Sequence, residues 1–176
     1  MRRLTHLALF SATIVVTALH HPGRALATAA KGFKSSQVAV GRFGEIDALS
    51  PLIPPIVVEE LRKSDGWLAL QKTNVPSDVY VQRNTWQPQG STGWHSHSGK
   101  SLVIVTAGTV TAYEADDPNC TPHVYTKGMT FVDPGGDHAH IVRNESNSVA
   151  HSIAIQIIPA GAARRIDVAN PGNCPF

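Results

Sequence analysis

The chain has 176 residues, 42% hydrophobic and 16% charged, a balance that fits one globular domain and excludes disordered, collagen-like and multi-pass membrane proteins. Its formal charge is +2, yet Arg2, Arg3 and Arg24 all precede Ala27 and no acidic residue does, so loss of that segment brings the charge to −1. A nearly neutral chain without a surviving Lys/Arg cluster has no electrostatic footprint for nucleic acid or anionic membranes.

In chain order, Met1-Arg2-Arg3 is a positive start, residues 4–19 are mostly apolar, and Ala25-Leu26-Ala27 supplies a small-x-small cleavage pattern. Residues 1–27 are therefore expected to be a secretory signal peptide, with the protein exported to a periplasm or the cell exterior. The alternative, a retained anchor, is opposed by Thr5, His6, Ser11 and Thr13 within the apolar run and by His20-His21-Pro22 at its end. The run falls short of the ~20 apolar residues a spanning helix needs, and no stable membrane insertion is expected after cleavage.

Residues 28–63 read as an N-terminal extension. A short alternating stretch at 38–43 is an edge-strand candidate, 50–55 is a proline-punctuated linker, and 56–63 is a short helix candidate despite β-branched Ile56-Val57-Val58. Residues 64–176 form the predicted domain proper. Strands are expected at 79–85, 101–113, 123–126, 129–132, 138–143 and 149–158, separated by turns rich in Gly, Pro, Asn and Asp such as Pro88/Gly90/Gly93. Short strands without a long helix or an internal repeat predict an all-β sandwich or barrel.

Export bears on the two cysteines, Cys120 and Cys174. Neither belongs to a C-x-x-C pair, which removes zinc-knuckle and thioredoxin-like readings. In an oxidising compartment they are expected to pair, pinning residues 170–176 to the 116–121 loop with a stabilisation of ~4 to 5 kcal/mol. Two separate thiols are the other reading.

The chemistry lies in the histidines. His95 and His97 stand at i, i+2 in an extended segment, so strand alternation sends both imidazoles to one face. His138 and His140 repeat the spacing after Pro134-Gly135-Gly136. Facing strands would converge three or four imidazoles on one point, a donor set suited to zinc, iron, manganese, nickel, copper or cobalt better than to magnesium or calcium. His151 alternates with Ile153, Ile155 and Ile157 and reads as an interior histidine, whereas His123 reads as exposed.

At these residues the sequence resembles the cupin superfamily. Gly90, His95-Ser96-His97 and Gly108 follow the family's first motif, and Gly128, Pro134-Gly135-Gly136, His140 and Asn144 follow its second. The resemblance implies a double-stranded β-helix, or jelly roll, and a divalent transition metal held in its barrel. The chain departs from the pattern twice. Ser101 stands where the family has a glutamate ligand, and one extra residue separates Gly136 from His140. Counting back from Asn144 places the ligand on His140, since Ala139 cannot ligate. The expected metal site is thus His95, His97 and His140 with water, and His138 as a candidate fourth ligand. Ser101 and Trp94 are expected to line the pocket.

Three functions follow from this reading: an exported metal-binding cupin, a metal-dependent enzyme of dioxygenase or isomerase type acting on a small molecule, and a metal-free binding or structural cupin. A small-molecule ligand and a homodimer are the partners it leaves open.

Overall fold

The computed structural model describes residues 27–51 and 68–176, and every regular element in them is a strand. The expected signal segment before Ala27 and the helix candidate at 56–63 lie outside the described residues. In chain order the strands are β1 (Lys31–Phe43), β2 (Asp47–Pro51), β3 (Leu68–Lys72), β4 (Ser77–Ser91), β5 (His95–Ser96), β6 (Ser101–Ala107), β7 (Thr109–Glu114), β8 (His123–Thr126), β9 (Thr130–Asp133), β10 (His140–Arg143), β11 (Ala150–Pro159) and β12 (Ile166–Asp167).

Ten of them form one continuous antiparallel sheet that wraps into a jelly roll. One half runs β1-β4-β11-β6-β9 and the other β12-β5-β10-β7-β8, joined where Arg143 of β10 pairs with Ser91 of β4. β2 and β3 pair separately. Alternation builds the interior: β6 buries Ser101, Val103 and Val105 while exposing Leu102, Ile104 and Thr106.

Register then stacks the inward residues into layers. On the first half, Asp133 of β9 faces Ser101 of β6, which faces Gln156 of β11. Two residues along, Phe131, Val103 and Ala154 form the next row. On the second half, His95, His140 and Glu114 share a row, and Val142 and Ala112 lie in the row beside it. Both halves therefore change from polar to apolar at one step along the strands. The apolar side holds the main core, built from Trp86, Val105, Val110, Ala112, Val142 and Ala150 with Phe33, Tyr125 and Phe131 packed against it.

Several strands differ from the sequence expectation. The predicted strand 79–85 is part of β4, which runs through the expected Pro88/Gly90 turn to Ser91. Between the pairs Phe33–Trp86 and Lys31–Ser91, β4 holds extra residues, including Gln89 at φ 59°; Pro88 sits in this bulge, where its missing N–H breaks no ladder. The single strand expected at 101–113 is two, because Gly108 adopts φ 69° and a side chain there would approach the Val149 carbonyl oxygen to 2.7 Å. β2, β3 and β12 were not anticipated, and the edge strand expected at 38–43 extends back to Lys31.

Cys120 and Cys174 are bonded, with Cα atoms 5.2 Å apart. The tail they anchor lies along β7: Asn173 Nδ2 donates to the Glu114 carbonyl at 2.8 Å, and the Arg143 guanidinium stacks 3.7 Å from the Phe176 ring centre. At the start of the described residues, Thr28 N donates to the Val168 carbonyl and Thr28 Oγ1 accepts from Trp94 N at 2.6 Å.

Candidate metal centre

β5 and β10 pair with His95 directly opposite His140, so the two rings meet with centroids 4.5 Å apart. His97 follows two residues after His95, its ring 4.8 Å from His95 and 5.5 Å from His140. One donor atom from each of the three lies within 4.8 Å of the others, the spacing of a shared ion. Gly135 helps hold this loop in place. It has φ 73°, an added Cβ would collide with the Gly99 backbone at 2.4 Å, and the next amide, Gly136 N, donates to the His97 carbonyl at 2.7 Å.

Two of the rings are oriented by backbone. His95 Nδ1 lies 2.9 Å from the Gly93 carbonyl oxygen and His97 Nδ1 2.5 Å from that of Arg164. A carbonyl only accepts, so His95 Nδ1 carries the proton and its Nε2 keeps its lone pair, the tautomer a metal requires; at His97 the Gln156 amide joins the contact, with its Nε2 2.9 Å from Nδ1 and 2.9 Å from the Arg164 carbonyl. Burial, followed by neighbouring His140 and the Arg165 cation, lowers His95 to about 2. Burial above all lowers His140 to about 4. Both are neutral donors near pH 7, so binding an ion displaces no proton from either ring.

His138, the fourth histidine, stands just before β10 with its ring 6.3 Å from His140. Its Nε2 lies 3.3 Å from Glu114 Oε2. Glu114 is opposite His140 on β7, and burial raises its pKa. His138, Glu114 and His140 form a second donor set that shares His140 with the first. Sequence reasoning missed Glu114 because no local pattern marks it; only the β7–β10 register brings it to the histidines. It also missed Asp133, which is buried within 4 Å of His97, His138 and His140. Alternation with Phe131 ahead of Pro134 was its one available signal.

A cavity of about 270 Å³ opens between the two halves of the sheet beside the three histidines. Ser101 lines it, with Phe33, Trp86 and Phe131 on the apolar side and Arg164 and Arg165 on the basic side. Trp94, expected in the pocket wall, is instead buried with Tyr113, Ile141 and Cys174. Alternation explains the difference, since the neighbour of an inward His95 points to the opposite face. His151 is half-buried, its Nδ1 3.1 Å from Thr85 Oγ1, and His123 is exposed.

A jelly roll with an imidazole cluster between its sheets defines the class of protein. Residues 83–156 match the Cupin domain family in its Cupin_2 form, and the chain carries a cupin domain of this type. No curated protein matches the chain. Among solved structures it is similar to the polyketide cyclase RemF from Streptomyces resistomycificus, with 17% identity over 53% of this chain and 64% of that one, at a TM-score of 0.44. It is also similar to a cupin superfamily protein from Desulfitobacterium hafniense, with 14% identity over 51% of this chain and 73% of that one, at 0.40. An oxalate oxidase in complex with glycolate shares 21% identity over 46% of this chain and 45% of that one, at a TM-score of 0.40. The matched part spans about half the length of that oxidase.

Proposed function

We propose that the chain is an exported cupin that holds a divalent transition metal on His95, His97 and His140 and presents it to a small anionic molecule in the adjoining cavity. The observation that carries this reading is the convergence of three imidazoles, two with Nδ1 tied to carbonyls and two held neutral by burial. Imidazole donors suit zinc, iron, nickel, copper or cobalt, and manganese would call for carboxylate oxygen beside them. A bound ion would act as a Lewis acid or activate water or dioxygen.

The chain's own residues suit an anionic guest. Arg164 and Arg165 line the cavity, and Arg165 is anchored by donating to the Thr92 carbonyl at 2.6 Å and by its contact with Asp167. Arg164 stacks 4.2 Å from the Tyr80 ring centre and is hydrogen-bonded to Gln82, with no carboxylate partner among the described ion pairs. Phe33, Trp86 and Phe131 would exclude water from the apolar part of the guest. This favours a second reading of the same site as an enzyme for a small carboxylate-bearing substrate.

The disulfide fits an oxidising compartment, and among the described residues no helix is long and apolar enough to cross a membrane. Export through cleavage after Ala27 would leave Thr28 and its contacts in place. Elemental analysis of the exported protein, purified without a tag or chelating resin, tests the metal, and N-terminal sequencing tests the cleavage. About one equivalent of a transition metal is expected. Loss of that metal without loss of small-carboxylate binding would refute its role toward the guest. Turnover of a carboxylate panel by only one reconstituted metal would select the enzyme.

A further inference from the structure

We propose that the carboxylate of Asp133 replaces the family's missing glutamate, completing a three-histidine, one-carboxylate metal site from the neighbouring strand. The inference rests on the metal-binding reading of the histidine cluster and assigns it a fourth ligand.

The register makes the substitution possible. The glutamate position is Ser101 on β6, and Asp133 is its direct partner across the β6–β9 ladder. Both residues point inward, at 5% and 4% exposure, so the carboxylate approaches the same space from one strand over. Cross-strand partners stand about 5 Å apart at Cβ, a gap that moving the acid group from one strand to the next can span.

The carboxylate is also under-satisfied. Asp133 Oδ1 accepts from Gly135 N at 2.9 Å, whereas Oδ2 is buried and has no hydrogen-bond partner. Oδ2 lies 3.5 Å from His97 Nε2, the ring nitrogen turned toward the carboxylate, and Oδ1 lies 3.8 Å from His140 Nδ1. No Lys or Arg pairs with Asp133 among the described ion pairs. A buried carboxylate with an empty acceptor and no permanent cation is costly, and a divalent ion at the histidines supplies both the charge and the missing partner. An incoming acid on β6, as in the family pattern, would crowd Asp133; serine leaves room for it.

The test uses the full exported chain stripped of metal and titrated with Co(II), read by its visible ligand-field bands and by competition with a chelator. Asp133→Asn keeps the shape of the side chain and should weaken Co(II) binding by more than about 100-fold, beyond the roughly 10- to 100-fold loss when a carboxylate merely orients a ligand histidine. Its bands should move as an oxygen donor leaves. Ser101→Glu/Asp133→Asn should recover affinity to within about tenfold of the parent by restoring the acid from the family's own position. Asp133→Asn binding within about tenfold of the parent, or weaker binding with unchanged bands, would overturn direct ligation.

His95→Ala/His97→Ala distinguishes the histidine cluster from its carboxylate. Co(II) uptake by the parent that is lost in this double variant sustains the cluster whatever Asp133 does; no uptake by the parent removes both. If Asp133→Asn does not fold, the metal-induced infrared difference spectrum of the parent decides the question. A shift of a carboxylate stretching band on Co(II) binding is expected, and its absence overturns the proposal.

Discussion

Two layers of one barrel, built from the same strands and a single step apart, differ completely in character. The row of Phe131, Val103 and Ala154, with Val142 and Ala112 opposite, is apolar, and most of it forms the apolar wall of the cavity. The next row, Asp133, Ser101 and Gln156 with His95, His140 and Glu114 opposite, gathers acids, amides and imidazoles around a cavity. Burial of the apolar layer favours folding and offsets the cost of buried groups left incompletely paired in the polar layer. Atoms left without partners include Asp133 Oδ2, His138 Nδ1, His140 Nδ1 and Glu114 Oε2, all in the polar part. Such groups destabilise an isolated fold and persist where a ligand can satisfy them.

Mutations in the two layers should therefore separate metal from stability. The largest effect is expected from His95→Ala/His97→Ala, which should reduce metal content from about one equivalent to near zero while far-ultraviolet dichroism stays that of the parent. Loss of the folded signal instead would show that the polar layer carries the fold. Trp86→Ala in the apolar layer should do the reverse. Trp86 is 2% exposed, and its removal should lower the unfolding free energy by about 3 to 5 kcal/mol in denaturant titration while the folded fraction keeps its metal.

Outside both layers, Cys120→Ser/Cys174→Ser should cost ~4 to 5 kcal/mol, because the bridge closes a separation of 54 residues in the unfolded chain. Phe176 should then lose its place beside Arg143, which a limited-proteolysis time course would report as earlier trimming of the tail.

Acid should act on the polar layer of the metal-free protein. His95 and His140 have pKa values near 2 and 4 in the folded state, below the ordinary value of 6.5 expected when unfolded. The unfolded chain therefore binds more protons below pH 6.5, and stability must fall as pH drops through that point toward pH 4 and lower. At its steepest each group contributes about 1.4 kcal/mol per pH unit. Denaturant midpoints at pH 7.5, 6 and 5 would show the slope, and His140→Gln should flatten it. The smallest effect belongs to the exposed Lys72–Asp47 pair, where Lys72→Ala should change stability by less than about 0.5 kcal/mol and leave the metal unaltered.

Much of this was legible beforehand, for a definite reason. Alternation is a property of one segment, so the i, i+2 spacing of His95 and His97 already placed both imidazoles together, and the turns at Pro134-Gly135-Gly136 and around Asn144 already bounded β10. The disulfide expectation rested only on two cysteines outside any C-x-x-C pair and on the expected export. The same alternation, applied one residue back, would have sent Trp94 to the opposite face, where it packs. Gly108 was recognised as a motif glycine while the strand was drawn through it; its positive φ is what ends β6 and starts β7.

By itself the sequence determined that the chain is all-β, that its histidines fall on common faces, and that an acid is missing at Ser101. Only the tertiary structure decided which strands lie side by side. That arrangement brings Glu114 to His140, Asp133 to Ser101 and Arg164 to the cavity, across separations of 26, 32 and more residues along the chain. Parity is local and can be read from neighbours in sequence. Register between distant strands is set by the packing of the whole barrel, and the partners that complete the site follow from register.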